Sequence, residues 1–134
     1  MSGRVIVHSL DHARTAVAAA ASLGRDVTLV SAPGAGAYAG PLWFKAVVDE
    51  AAAAFPGIAV TAVLDCGAEP GTVLAALRAG FRRVIFTGPE AMRARLAEIA
   101  AATGAAIEPR QPGALDLLGQ RDAAACRAFL AGGG

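Results

Sequence analysis

Charge is scarce in this chain. Only 17 % of its 134 residues are Asp, Glu, Lys or Arg, and the net charge is +1. Lys45 is the sole lysine, and the one basic pair is Arg82-Arg83. A nucleic-acid footprint needs clustered basic residues, usually interleaved with aromatics. Neither pattern is present, so no nucleic-acid partner is expected. Aromatics are also few, at 5 %. Cysteine occurs twice, as Cys66 and Cys126, far apart and outside any CxxC or Cys/His cluster. That excludes a zinc-finger spacing and a disulfide framework, predicts no metal site, and suits a reducing cytoplasm. No stretch reaches 18 uninterrupted apolar residues, so no membrane span is expected. The first ten residues, MSGRVIVHSL, lack the basic segment and long apolar core of a secretory leader.

What is abundant is alanine and glycine. Apolar residues make up 55 % of the chain, against about 45–50 % in ordinary domains. Much of the excess is alanine, in runs such as 18–21 and 51–54. Alanine favours helix but buries little area. With so few charges to cover the surface, some helix faces are expected to be apolar and exposed. A homo-oligomer, a dimer by preference, follows as the expected partner. The arginine-for-lysine bias, with so much Ala and Gly, reads as GC-rich coding sequence rather than arginine chemistry.

The length suits one α/β domain over residues 1–131, with a disordered glycine tail at 132–134. Five β–α units follow one another. Strands are expected near 4–8, 26–31, 58–64, 83–86 and 105–108. Helices are expected at 12–23, capped by Asp11; at 41–55, opened by Pro41; from Pro70 to the stop at Gly80; and at about 89–102. Leu42, Phe44, Val47, Val48, Ala51 and Phe55 make the inner face of the second helix; Met92, Leu96 and Ile99 make that of the fourth. Residues 32–40 (APGAGAYAG) read as loop, being too rich in glycine for regular structure. Residues 109–114 also read as loop, and 115–130 as weaker helical turns with 121–130 the better part. Strand and helix alternating at this spacing predict a parallel sheet with right-handed crossovers. The expected fold is a three-layer α/β/α sandwich, Rossmann-like or flavodoxin-like, with a partial (β/α) barrel as the alternative.

Residues 60–88, VTAVLDCGAEPGTVLAALRAGFRRVIFTG, carry the clearest pattern. Strand, glycine turn, helix, glycine stop, strand and glycine turn follow in order. The pieces 64–67, 75–80 and 84–88 resemble the phosphate-binding βαβ quarter of TIM-barrel enzymes. The resemblance covers under a quarter of the chain. It implies a substrate phosphate held on backbone N–H groups. The strand-end lysine of Schiff-base aldolases has no counterpart, since Lys45 falls inside the second helix.

In parallel sheets, ligands bind beyond the carboxyl ends of the strands. There the helix N-termini offer unpaired N–H groups and a partial positive charge. The expected ligand is therefore a small anion bearing phosphate or carboxylate, bound by Ser9, Ser31, Gly34, Gly36, Tyr38, Gly67, Thr87 and Gly88. The run GAGAYAG contains GxG without completing GxGxxG, and it follows the second strand, so a dinucleotide cofactor is not expected. Tyr38 reads either as a lid residue or as cover for an apolar surface. Asp65-Cys66 at a strand end is the most catalytic-looking pair: a thiolate near helix N-termini can be a nucleophile, while Asp65 reads either as a cap of the third helix or holder of a loop N–H, or as a general base to a polar substrate beside it. Cysteine is equally at home there as a small buried residue. His8 joins them only if its strand neighbours theirs, and His12 reads as a surface residue. Trp43 reads as an oligomer contact or lid anchor. Two functions stay open: an anion-binding module, or a small lyase- or hydrolase-type enzyme using Asp65, Cys66 and His8. A module acting only through protein contacts is a third.

Overall fold

The computed structural model describes residues 3–119 and 122–133. It contains six strands and six helices: β1 (Gly3–Val7), α1 (Leu10–Ser22), β2 (Val27–Ser31), α2 (Ala35–Tyr38), α3 (Pro41–Ala53), β3 (Val60–Asp65), α4 (Pro70–Arg78), β4 (Arg83–Ile85), α5 (Glu90–Ala102), β5 (Ala106–Glu108), β6 (Leu115–Asp116) and α6 (Ala123–Ala131). The strands form a six-stranded sheet in the order β5-β4-β3-β2-β1-β6. The pairs β1–β6, β3–β4 and β4–β5 are parallel. The parallel α/β class is thus as expected, with one strand more. From β1 to β5 the order never reverses. A doubly wound sheet changes direction partway, whereas right-handed crossovers that all step the same way leave their helices on one face. The order is that of the barrel-type alternative.

By internal contacts the chain divides into two compact units. Among the described residues, the first comprises 3–30, 46–61, 112–119 and 122–133. In it β6 pairs with β1, Val5 opposite Leu115 and Ile6 opposite Asp116. Helix α1 packs against α6, and its small residues Ala13, Ala16, Val17, Ala19 and Ala20 are all buried. Small side chains let two helices approach closely, which explains why so alanine-rich a helix buries well. Arg25 Nη1 donates to the carbonyl of Leu130 (2.8 Å), closing the far end of α6. Ser9 rather than Asp11 caps α1, its Oγ accepting from the His12 N–H at 3.1 Å, so the helix starts two residues earlier than expected. Asp11 sits in the first turn, where its charge favours the dipole. Strand β6 replaces part of the helical reading of 115–130. Asp122 caps α6 by accepting from the Ala125 N–H at 2.6 Å; Gln120 and Arg121 lie outside the described residues. Gly132 and Gly133 continue the hydrogen bonding at the end of α6, to Ala128 and Leu130; Gly134 lies outside.

The second unit comprises residues 31–45 and 62–111. Its core is Phe44, Val63, Leu64, Val73, Val84, Ile85, Phe86 and Leu96. Phe44 stacks on Phe81 with centroids 6.3 Å apart. Helix α4 packs against both α2 and α5. Arg83 Nε donates to Glu108 Oε2 at 3.0 Å, joining β4 to β5. The glycine-rich stretch 32–40 is not wholly loop: it holds the short helix α2. Gly36 is buried there, and a Cβ on it would meet Leu64 and Thr72 at 3.0 Å. The glycine that looked like a helix breaker is what lets α2 lie against its neighbours. Two apolar faces are narrower than their sequence suggests. Leu42 is 71 % exposed and Ile99 46 % exposed. On α5 the buried positions are Leu96 and Ala100, one turn apart; Ile99 falls beside that stripe. No helix among the described residues is long and apolar enough to cross a membrane.

Candidate functional site

Two polar clusters stand at carboxyl ends of strands, one in each unit. In the second unit the centre is Asp65, the last residue of β3 and almost fully buried. Its Oδ1 accepts from the N–H groups of Gly34 (3.1 Å) and Gly67 (2.9 Å). Arg110 grips it with two donors, Nε to Oδ2 at 2.8 Å and Nη2 to Oδ1 at 2.9 Å. The Asp65 N–H in turn donates to Ser31 Oγ at 2.8 Å. Gly34 and Gly67 both have positive φ, 71° and 57°, a conformation that glycine adopts without strain. Those two turns are what aim their N–H groups at one carboxylate oxygen. A buried carboxylate needs such donors, and the bidentate guanidinium supplies the opposite charge. The hydrogen bond that Arg110 donates to Asp65, partly offset by burial and helped by the carboxylate charge, raises the pKa of Arg110 further. The Arg110 side chain is nonetheless 46 % exposed. One edge of the guanidinium is therefore committed to Asp65 while the group still faces solvent.

Cys66 follows directly and is fully buried. Burial first, and the neighbouring Asp65 charge second, push its thiol up to about 12. Its Sγ donates weakly to the Leu64 carbonyl at 3.8 Å. The chemistry is that of a neutral, packed thiol, opposite to an activated nucleophile.

The remaining residues of this edge have distinct roles. Thr87 is exposed, and its N–H donates to the Gly67 carbonyl at 2.8 Å, tying the β4 turn to the β3 turn. A Cβ on Gly88 would come within 2.3 Å of the Phe86 ring, so that glycine answers a packing demand. The N-cap positions of α4 and α5 are Glu69 and Pro89, and neither makes a side-chain cap hydrogen bond. Tyr38, at the end of α2, is 74 % exposed.

In the first unit, His8 Nε2 lies 2.7 Å from Asp116 Oδ1. The same oxygen accepts from the Leu118 N–H at 2.9 Å. Burial disfavours ionisation of Asp116, but the Leu118 N–H and then His8 outweigh it and hold the carboxyl below its ordinary value. The His8 N–H donates to His12 Nδ1 at 3.0 Å, and the two rings meet edge to face at 5.7 Å. A ring nitrogen that accepts carries no proton, so neutral His12 holds its proton on Nε2. Ser9, Asp11, His12 and Thr15 line an open groove of about 410 Å³.

The hydrogen bonds of His8 and of Asp65 therefore go to Asp116 and Arg110, two residues that the sequence reading did not single out. Arg110 had a usable signal. It stands two residues past β5, as Gly67 stands two residues past β3. Asp116 had none, because β6 is two residues long and pairs only across the fold with β1. Among the described residues no group of His, Cys, Asp and Glu has a geometry that could hold a metal ion.

No protein family matches the chain, and no curated protein matches it. Solved structures do. One is the crystal structure of "a putative fructose-1,6-biphosphate aldolase" from Coccidioides immitis, at a TM-score of 0.64 and 20 % identity. The match covers 88 % of this chain and 46 % of that one, so this chain spans a little under half the length of its neighbour. At that identity the likeness concerns the fold. Its barrel-type parallel sheet is compatible with the resemblance of residues 60–88 and agrees with the strand order found here.

Proposed function

We propose that this protein binds a small anionic ligand, bearing phosphate or carboxylate, at the β3–β5 edge of its second unit. The observation that carries the reading is Arg110: a guanidinium fixed in orientation by a buried carboxylate, with half its side chain open to solvent. A bare arginine on a surface loses side-chain entropy when it grips an anion. One already immobilised does not, so its affinity for a planar or tetrahedral oxyanion is higher. Thr87 and the uncapped start of α5 supply further donors beside the β4 turn. Asp65 acts as the positioning residue of this site, and Cys66 as part of its packed floor. The homodimer belongs to the same reading, with Tyr38, Leu42 and Trp43 as exposed apolar surface; sedimentation equilibrium reads it directly.

The test is a thermal-shift screen with inorganic phosphate, sugar phosphates, nucleotides and small carboxylates. A ligand at about 100 times its dissociation constant adds about 2.7 kcal/mol, several degrees for a domain of this length. The shift should vanish in Arg110→Met. A shift of equal size in that variant would remove Arg110 from the site, and no shift with any compound would remove the anion reading.

A further inference from the structure

Helix α5 in the second unit is left uncovered on one side. It packs against α4 and β5. Strand β5 is the last on that edge of the sheet, so no further β–α unit follows it there. The buried positions of α5 are Leu96 and Ala100. Opposite them, Ala91, Ala94, Arg95, Glu98, Ala101 and Ala102 are all exposed. Met92 and Ile99 border this face and are exposed as well. The face is therefore apolar except for two charges, and apolar surface of this kind marks a contact site.

The two charges say what fits it. Arg95 and Glu98 have opposite signs and lie one turn apart, close to the midline of the face. Neither forms an ion pair with another described residue, whereas Glu90 and Arg93 are joined to each other at 2.7 Å. A twofold contact must be self-complementary: where residue i meets residue j of the partner, j meets i. Lay α5 antiparallel on a copy of itself, about an axis level with residues 96 and 97. Arg95 then comes level with the partner's Glu98, and Glu98 with the partner's Arg95. The other exposed positions obey the same axis to within about 3 Å along the helix. Met92 falls beside the partner's Ile99 on one flank, Ala94 beside the partner's Ala101 on the other, and Ala91 beside the partner's Ala102 between them. The alanine flank lets the two backbones approach, and the Met92 and Ile99 flank supplies apolar area.

We propose, building on the homodimer reading, that two copies of this chain associate through α5 packed antiparallel on α5, with two Arg95–Glu98 ion pairs setting the register. The helix has 13 residues and is about 20 Å long. One face of it is smaller than the roughly 800 Å² per partner of a standard interface. The dimer is therefore a weak, concentration-dependent one, in which the charge pairs decide partner and register more than they add affinity.

The test is sedimentation equilibrium of the full chain over a wide range of concentration. The parent is expected to dimerise. Arg95→Glu sets like charges against each other at both pairs, and so does Glu98→Arg. Each change should raise the dimer dissociation constant about tenfold or more. Mixed in equal amounts, the two variants should dimerise again, because both positions of one chain are then negative and both of the other positive. Circular dichroism should show unchanged helix content, since both residues are exposed. A dimer that both reversals leave intact overturns the proposal but not the homodimer reading. Dissociation of that dimer by Leu42→Ser would place the contact at the start of α3 instead. A mixture that stays monomeric overturns the charge pairing, and a parent that is monomeric at every concentration overturns the proposal and the homodimer reading together.

Discussion

Replacing Asp65 by Ala removes one carboxylate and unties three segments. Its oxygens accept from the N–H groups of Gly34 and Gly67 and twice from Arg110, and Asp65 is only 1 % exposed. Alanine leaves both N–H groups facing a small void. Each unsatisfied buried donor costs about 1–2 kcal/mol. Arg110 is different: its side chain is 46 % exposed, so it recovers most of its loss from water, and its share is under about 1 kcal/mol. The total is about 2–5 kcal/mol, which for a domain of this length lowers Tm by roughly 6–20 °C. Urea unfolding followed by circular dichroism measures it, and the m-value should not change. Asp65→Asn keeps Oδ1 for the two glycines and should cost about half as much. The double variant with Arg110→Met should lose less than the sum of the single losses, because the two side chains share one interaction. An Asp65→Ala variant within about 1 kcal/mol of the parent would refute the role of these turns. Additive single losses would refute the coupling.

Other outcomes follow from the same coordinates. Cys66 stays protonated to about 12 in the folded chain, while an unfolded thiol ionises near its ordinary 9. Stability should therefore hold below pH 9 and fall between 9 and 12, by about 1 kcal/mol per pH unit from this group; in Cys66→Ala the fall of Tm with pH should be shallower. Gly88→Ala would drive a Cβ into the buried Phe86 ring and should cost about 1–3 kcal/mol; a neutral result in thermal denaturation would mean that the β4 turn has room to move. Asp116 has a depressed pKa, so its contribution is present above the ordinary carboxylate value and lost as pH falls through the folded one. Asp116→Asn should flatten the acid limb of stability by less than about 1 kcal/mol, because the carboxylate is nearly half exposed. Gly34→Ala places a side chain at φ 71° and should destabilise by about 1 kcal/mol or more, read as a lower midpoint in urea.

Local sequence determined where most elements lie. Periodicity and punctuation located β1 to β5, and Pro41 and Pro70 each opened a helix because an N1 position needs no N–H. The glycines at 24, 80 and 104 stopped helices because each adopts positive φ. Asp65 and Gly67 were legible as residues of a functional edge because that edge follows from any parallel sheet. Tertiary structure alone decided the strand order, since every right-handed βαβ unit looks alike in sequence whichever way it steps. It decided α2, whose four residues are stabilised by a close approach at Gly36 that no local propensity encodes. It decided β6, which exists only because β1 offers an edge to two residues more than a hundred positions later. And it decided the partners of the two key groups, Arg110 for Asp65 and Asp116 for His8. Side chains separated by 45 and 108 positions meet only when the sheet assembles, because a hydrogen bond depends on distance in space, which local pattern does not contain.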